Sequence, residues 1–242
     1  MVASLSADFD RRAPDYHRRA KVQSRTASWL AQWLPPRAEG TALELGAGTG
    51  LFTRHLVGVC DRLVATDASP RMVEAGLAEC PEQSWTVAEA CQPPAGDTYH
   101  WIFTCSLAQW LPDPALAFQR WRDVSAPQAR MIAGWFIAGT MIDWLALCPS
   151  AAPFRWREAS EWIALLGDSG WEVQRSEVKT FLVQHASAAA MLRELHDVGA
   201  VVPRRFGTGR LRSALRAWDA KYRGTEGLST PFVFLRVEAL RR

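Results

Sequence analysis

Apolar residues recur at helical spacing early in the chain, where Trp29, Leu30, Trp33 and Leu34 close a run that predicts helix over residues 4–34. Pro35 and Pro36 end it. A short apolar strand, Thr41 to Leu45, follows and enters the turn Gly46-Ala47-Gly48-Thr49-Gly50. Beyond the turn, Leu51, Phe52, Leu56 and Val57 space like the buried face of a helix. A second strand, Leu63 to Thr66, ends at Asp67, and Ser69-Pro70 opens another helix as cap and first-turn proline. Strand-like segments return at Trp85 to Ala88, Trp101 to Thr104 and Arg130 to Phe136. This alternation predicts a parallel sheet wound with helices on both faces. Further on, amphipathic helices over Ala159 to Leu166 and Ala186 to Val198 flank a strand-like run from Trp171 to Leu182, and Phe232 to Val237 forms the last strand. The least regular stretch, Phe136 to Pro153, is rich in Trp, Met and small residues and reads as a cap over a pocket. With no internal repeat or low-complexity linker, residues 1–242 read as one domain: a helical lid (1–38), a sheet core (39–136) and a second half (137–242).

Composition narrows the classes. Of 242 residues, 48% are hydrophobic and 22% charged, which excludes disordered, collagen-like and disulfide-scaffold chains. The longest apolar block, Met131 to Leu147, is interrupted by Gly134, Gly139, Thr140 and Asp143, so no membrane span is expected. Asp8, Asp10, Arg11 and Arg12 follow too soon after Met1 for a signal peptide, and five Cys without a C-x-x-C pair suit free thiols in a reducing cytoplasm. The five His lack metal-ligand spacing, so no metal is expected. A net charge of +3 argues against general nucleic-acid binding, yet it conceals two basic segments, residues 11–25 and 201–223. Each reads either as a docking surface or as a solvated helix face. Among twelve Trp, Trp85, Trp101 and Trp135 fall on or beside core strands, whereas Trp29, Trp33, Trp110 and Trp144 fall where they could cover a pocket.

The glycine turn carries the chemistry. Glycines at 46, 48 and 50 let the backbone leave a strand tightly and present N–H groups to a ligand. Leu51 stands where a dinucleotide fingerprint needs its third glycine, and no G-K-[ST] follows for a triphosphate. A nucleoside ligand without a pyrophosphate remains. Asp67, 21 positions after Gly46, is placed to accept from both ribose hydroxyls, or else caps the following helix. Glu44, within the first strand, would be costly to bury unless a positively charged ligand group or backbone donors met it.

These residues resemble the class I S-adenosylmethionine-dependent methyltransferases, in the motif Leu43 to Gly50, in the acid Asp67, and in Asp67-Ala68-Ser69-Pro70-Arg71-Met72, which looks like the family's D-x-S-x-x-M stretch. The resemblance implies a Rossmann-like α/β fold with a seven-stranded, mostly parallel sheet, N-terminal lid helices and a helical insertion before the last strand. It also implies S-adenosyl-L-methionine as cofactor, bound by Tyr16, Gln23, Glu44, Gly46, Ala47, Gly48, Asp67, Ala68 and Met72. Ala88 stands where the family often has an adenine-binding acid and Glu89 one place on, so a backbone N–H of either would hold the base. Cys105 replaces the common Asn or His after the fourth strand and reads as a buried thiol or a cofactor contact.

Beyond that core, Phe9, Ala13, Tyr16, Ala20 and Gln23 are similar to the opening of the malonyl-acyl-carrier-protein O-methyltransferases of biotin (pimeloyl) synthesis. Leu107-Ala108-Gln109-Trp110, Leu192 to Ala200 and Leu211 to Phe232 extend the likeness. It implies methylation of the free carboxylate of a malonyl thioester on acyl-carrier protein, with S-adenosylhomocysteine as the other product. No general base is then expected, because a carboxylate is ionised at neutral pH. Tyr16 reads as a lid residue or a surface tyrosine, and Gln109 and Trp110 as the acceptor border or plain core. Arg204, Arg205 and Arg212 are the candidate carrier contacts. Two alternatives stand beside this: a methyltransferase for another small acid or quinone-like ring, and a non-catalytic cofactor- or carrier-binding module.

Overall fold

The computed structural model describes residues 9–96, 98–147, 155–198, 208–225 and 227–242. Strands β1 (Ala38–Leu45), β2 (Cys60–Asp67), β3 (Ser84–Val87), β4 (Tyr99–Cys105) and β5 (Ser125–Phe136) pair in parallel. β6 (Trp171–His185) and β8 (Gly227–Arg241) complete a sheet ordered β3-β2-β1-β4-β5-β8-β6. β8 runs antiparallel to both neighbours, and the two-residue β7 (Arg223–Gly224) pairs with its start. This is the Rossmann-like, mostly parallel arrangement that the family resemblance implied, with the chain order reversing between β1 and β4.

Side-chain alternation explains how one sheet makes two cores. Leu43 and Leu45 on β1, Ile102 on β4 and Met131, Ala133 and Trp135 on β5 point to one face. There they meet Phe118 and Trp121 of α5 (Pro114–Asp123) and Trp162 and Leu166 of α7 (Ala159–Asp168). Their neighbours Ala42, Trp101, Phe103 and Ile132 point to the other, against Ala27 and Leu30 of α2 (Lys21–Ala31) and Leu56 of α3 (Thr53–Leu56). A third cluster joins Trp29, Phe136, Met141, Phe181 and Phe234 to α6 (Ile142–Leu147), α8 (Ala188–Asp197) and α9 (Thr208–Tyr222) through Trp144, Met191 and Trp218.

Several expectations shift. Among the described residues the helix expected over 4–34 is interrupted: a turn at Arg11 and Arg12 precedes α1 (Ala13–Arg19), and α1 and α2 part where Ala20 leaves helical geometry at φ −78° and ψ 54°. Residues 1–8 lie outside the described set. The turn after β1 continues through Phe52, so Leu51 and Phe52 are buried ahead of a single helical turn, and Val57 is exposed rather than inward-facing. The strands are longer than the apolar runs: β8 begins five residues before Phe232, and β5 begins at Ser125, its start set off by an irregular register near Gln128, whose φ is +62°. The starts of both strands are partly buried, through Ser125 and Ala126 in β5 and Leu228 and Thr230 in β8, but they carry mostly small or polar residues that an apolar run does not pick out. Among the described residues no helix is long and apolar enough to cross a membrane.

Candidate active site

Parallel strands end together, and their carboxyl ends at the switch point between β1 and β4 open onto a cavity of about 650 Å³. That volume suits a nucleoside-sized ligand with room for an acceptor. Gly46 (φ +67°) and Gly48 (φ +57°) make the turn above β1. A Cβ at Gly46 would come within 2.9 Å of the Leu107 side chain, so only glycine lets the β1 and β4 loops approach so closely.

The turn closes differently from its sequence reading. The Ala47 N–H donates to the Thr66 carbonyl at 2.8 Å, the Gly50 N–H to the Ala47 carbonyl at 3.0 Å, and the Gly48 N–H to Asp67 Oδ2 at 2.9 Å. These three N–H groups hold the turn instead of facing a ligand. Asp67 Oδ1 accepts from the Ser69 N–H at 2.9 Å. The helix cap is Ser69, whose Oγ accepts from the Met72 N–H of α4 (Pro70–Glu79) at 3.1 Å. Asp67 is thus free of the capping role, and each carboxylate oxygen keeps a lone pair for a diol. Burial is the largest influence on it and pushes its carboxyl up to about 6 against the pull of those two N–H groups.

Glu44 is 1% exposed, and its Oε2 has no hydrogen-bond partner. Burial, with the Asp67 carboxylate adding, pushes it up to about 8. A cation delivered by a ligand would satisfy this oxygen and restore the ionised form. Tyr16, on α1, lines the cavity, and burial raises its hydroxyl so that it stays protonated. Cys105 is pushed up to about 12 by burial, which makes it a neutral thiol.

Every cofactor and acceptor candidate named from the sequence lines this one cavity: Tyr16, Gln23, Glu44, Gly46, Ala47, Gly48, Asp67, Ala68, Met72, Ala88, Glu89, Cys105, Gln109 and Trp110. One role changes, since the Ala88 N–H donates to the Asp67 carbonyl at 3.0 Å, continuing the β2–β3 ladder, and is not available to a base. Of the four Trp expected at the pocket, Trp110 lines it. Trp144 instead packs on Trp218 with centroids 5.0 Å apart, Trp29 packs on Phe181 and Phe234, and Trp33 lies under the Arg175 and Arg236 guanidinium groups. Phe9, Met141, Trp156, Leu195 and Phe232 also line the cavity without having been singled out. They come from distant parts of the chain; the lid expected over 1–38 takes in Phe9, and the cap expected over 136–153 takes in Met141.

Arg212 is exposed on α9, and Arg204 and Arg205 lie outside the described residues. In the first basic segment, Arg18 and Arg19 pair with Asp15, and Arg19 also bonds Asp197 on α8, so part of its charge is internally balanced. Among the described residues no group of three or more His, Cys, Asp or Glu is placed to hold a metal.

Residues 43–133, spanning the glycine turn, Asp67 and β4 to β5, match the family model described as a methyltransferase domain. Those residues carry the core of a class I, S-adenosylmethionine-dependent methyltransferase domain. Over 237 residues this methyltransferase is 27% identical to the "Biotin biosynthesis bifunctional protein BioCD" of Bordetella avium, covering 89% of this chain and 49% of that protein. It therefore spans about half the length of that relative. It is also 27% identical over 206 residues to the "Malonyl-[acyl-carrier protein] O-methyltransferase" of Magnetococcus marinus, covering 79% of this chain and 75% of that one. The YcgJ protein of Bacillus subtilis shares the fold, with a TM-score of 0.69 at 16% identity over 90% of this chain and 98% of that one. S-adenosyl-L-methionine is the methyltransferase's cofactor. The donor set fits it: a buried carboxylate with one unpartnered oxygen for a cationic group, a carboxylate with spare lone pairs for a ribose diol, and the buried thioether of Met72 for an apolar ring.

Proposed function

We propose that this methyltransferase O-methylates the free carboxylate of a malonyl thioester carried on acyl-carrier protein, an early step of biotin (pimeloyl) synthesis in the cytoplasm. The observation that carries the reading is the absence of any Lys, Arg or His among the described residues lining the cavity. Of the other groups there, Cys105 and Tyr16 hold their protons, Glu44 and Asp67 stand at the glycine turn, Glu89 belongs in this reading to the cofactor's base, and Asp113 Oδ1 accepts from the Leu116 N–H as the cap of α5. An alcohol or amine acceptor needs a proton removed, whereas a carboxylate arrives ionised and needs only alignment. The two curated relatives are named for biotin synthesis and for malonyl-carrier methylation, which supports the same acceptor.

When bound, the cofactor would supply a methyl group on positive sulfur, to be taken by the carboxylate oxygen with the S–C electron pair left on sulfur. Around that step, Asp67 would hold the ribose, Glu44 the amino-acid ammonium, and Ala68, Met72 and Glu89 would surround the base. Gly46, Ala47 and Gly48 set the distance between β1 and the ligand, with Gln23 and Cys105 as further walls. Tyr16, Gln109 and Trp110 would position the acceptor. In this reading residues 1–38 are the lid, 39–136 the cofactor core and 137–242 the half that meets substrate and carrier. Arg204, Arg205 and the exposed Arg212 would dock the acidic carrier.

The deciding experiment compares methyl transfer to malonyl-carrier, malonyl-coenzyme A and free malonate side by side. Preference for the carrier supports the reading. Turnover of another small acid or a quinone-like ring with none of the malonyl compounds would replace it, and cofactor binding without turnover of any acceptor would point to a binding module. Charge reversal at Arg204, Arg205 and Arg212 together should slow the carrier reaction at low salt and leave free malonate unaffected.

A further inference from the structure

Cofactor binding in this fold depends on the loop after β2, and one carboxylate outside the cofactor motifs reaches into that loop. Asp10, just before α1, accepts at Oδ1 from the Ser69 hydroxyl and, at 3.3 Å, from the Arg71 N–H. Ser69 is the residue whose own N–H donates to Asp67 and whose Oγ caps α4. One serine therefore joins two carboxylates, Asp67 through its backbone and Asp10 through its side chain. Immediately before Asp10, Phe9 meets Trp110 edge-on with centroids 5.7 Å apart and Tyr16 at 6.2 Å, and all three rings line the cavity. The far end of α1 is tied separately, through Arg19 to Asp197 and by the burial of Ala20 against Leu51 and Val198.

We propose that Asp10 is a positioning residue for the cofactor: its bonds to Ser69 and Arg71 clasp the Phe9–Tyr16 aromatic lid onto the Asp67 loop, so that lid closure and cofactor retention depend on one another. The clasp joins the lid to the residues beneath it without touching the ligand itself. A cofactor bound to Asp67 orders the loop that Asp10 grips, and a gripped loop keeps Tyr16 over the cavity. The inference rests on the cofactor alone and is independent of which acceptor is methylated.

The test measures S-adenosylhomocysteine binding and dissociation for the full chain and for Asp10→Ala and Asp10→Asn, with amide hydrogen exchange over residues 13–31. Asp10→Ala should weaken binding about ten-fold, the usual scale for losing hydrogen bonds to a charged group, mostly through faster dissociation. Ligand-induced protection over residues 13–31 should be lost in that variant. The unliganded Tm should stay within about 2 °C of the native protein, as for a substitution at a partly exposed site in a domain this size. Asp10→Asn keeps an acceptor oxygen in place and should recover most of the affinity. An unchanged dissociation rate in Asp10→Ala, or an asparagine variant no better than alanine, overturns the clasp. A fall in unliganded Tm that accounts for the affinity loss overturns it too, because Asp10 would then merely support α4. The native protein's own binding is the control: if it fails to bind, the cofactor assignment has failed and not the clasp.

Discussion

The Gly48 N–H donates to Asp67 Oδ2 at 2.9 Å, joining the turn after β1 to the end of β2 before any ligand arrives. Two backbone donors hold this carboxylate in place, yet burial keeps its pKa near 6, well above the ordinary 3.8. Ribose hydroxyls donate best to the ionised form. Affinity for S-adenosylhomocysteine should therefore fall as pH drops through 6, a step distinct from the one Glu44 adds nearer pH 8, and visible by calorimetry. Asp67→Ala should remove the step near pH 6 together with most of the affinity, at least 100-fold for two lost charge-assisted bonds.

Glu44 offers a proton count. Its ordinary value is 4.5, and burial lifts it to about 8 in the unliganded protein, so the carboxyl is mostly protonated at pH 7. A cationic ligand group beside Oε2 would bring it back to the ionised form. Binding of S-adenosylmethionine at pH 7 should then release up to about one proton, read from calorimetry in buffers of different ionisation enthalpy, and Glu44→Gln should release none from this site. Without ligand the sign is also fixed. The folded state holds a proton that the unfolded state gives up near 4.5, so this contribution to stability is full at low pH and is lost as pH rises toward 8. The Tm of Glu44→Gln should gain on the native protein between pH 5 and pH 8. Equal proton release by the two proteins would show that Glu44 does not meet the cofactor's charge.

How much of this was legible in the sequence depends on how local the cause is. Gly46, Gly48, Asp67 and Ser69 were readable because each answers a constraint within one turn: a left-handed φ, a strand end, a helix cap. The Ala88 N–H was misread because its partner, the Asp67 carbonyl, lies across a strand pair that spacing along the chain does not reveal. The indoles of Trp29, Trp33 and Trp144 were placed near a pocket because an aromatic on a helix suits a wall or a core equally well. Only the register of β8 against β5 and β6, which brings Phe234 and Arg236 under α2, decides for core. Asp10 could not be singled out, since its partner Ser69 is 59 residues away and its chemistry is common on any surface.

Cys105 separates a contact from a reactant. It lines the cavity and its thiol is held neutral by burial up to about 12. Cys105→Ala should keep methyl transfer within about ten-fold, with the same pH profile, because only packing is lost. A change in the shape of the pH–rate curve would instead make the thiol part of the chemistry.

Arg236 should be the residue outside the site whose loss is felt most. It sits on β8 at 6% exposure, its guanidinium 3.8 Å from the Trp29 ring centre and 4.2 Å from that of Trp33. Nη1 donates to the Trp29 carbonyl at 2.5 Å, while Nε and Nη2 donate to Glu177 Oε2 at 3.1 and 2.5 Å. A planar cation between two indoles, bonded to a helix carbonyl and a carboxylate of β6, fastens the C-terminal end of α2 to the sheet. Lysine lacks both the plane and the number of donors. Arg236→Met keeps the volume but removes the cation–π and hydrogen bonds, and should destabilise the fold by about 2–4 kcal/mol. Arg236→Lys should recover less than half of that. Glu177 is half-exposed and can be hydrated when its partner is lost, so Glu177→Gln should cost under about 1 kcal/mol. Because α2 also carries Gln23 and Ala27 to the cavity wall, the Arg236→Met loss should appear in urea denaturation of the unliganded protein first, and as weaker S-adenosylhomocysteine binding only as the native population falls. A stable Arg236→Met protein with weakened binding would instead place the clamp's effect in the site.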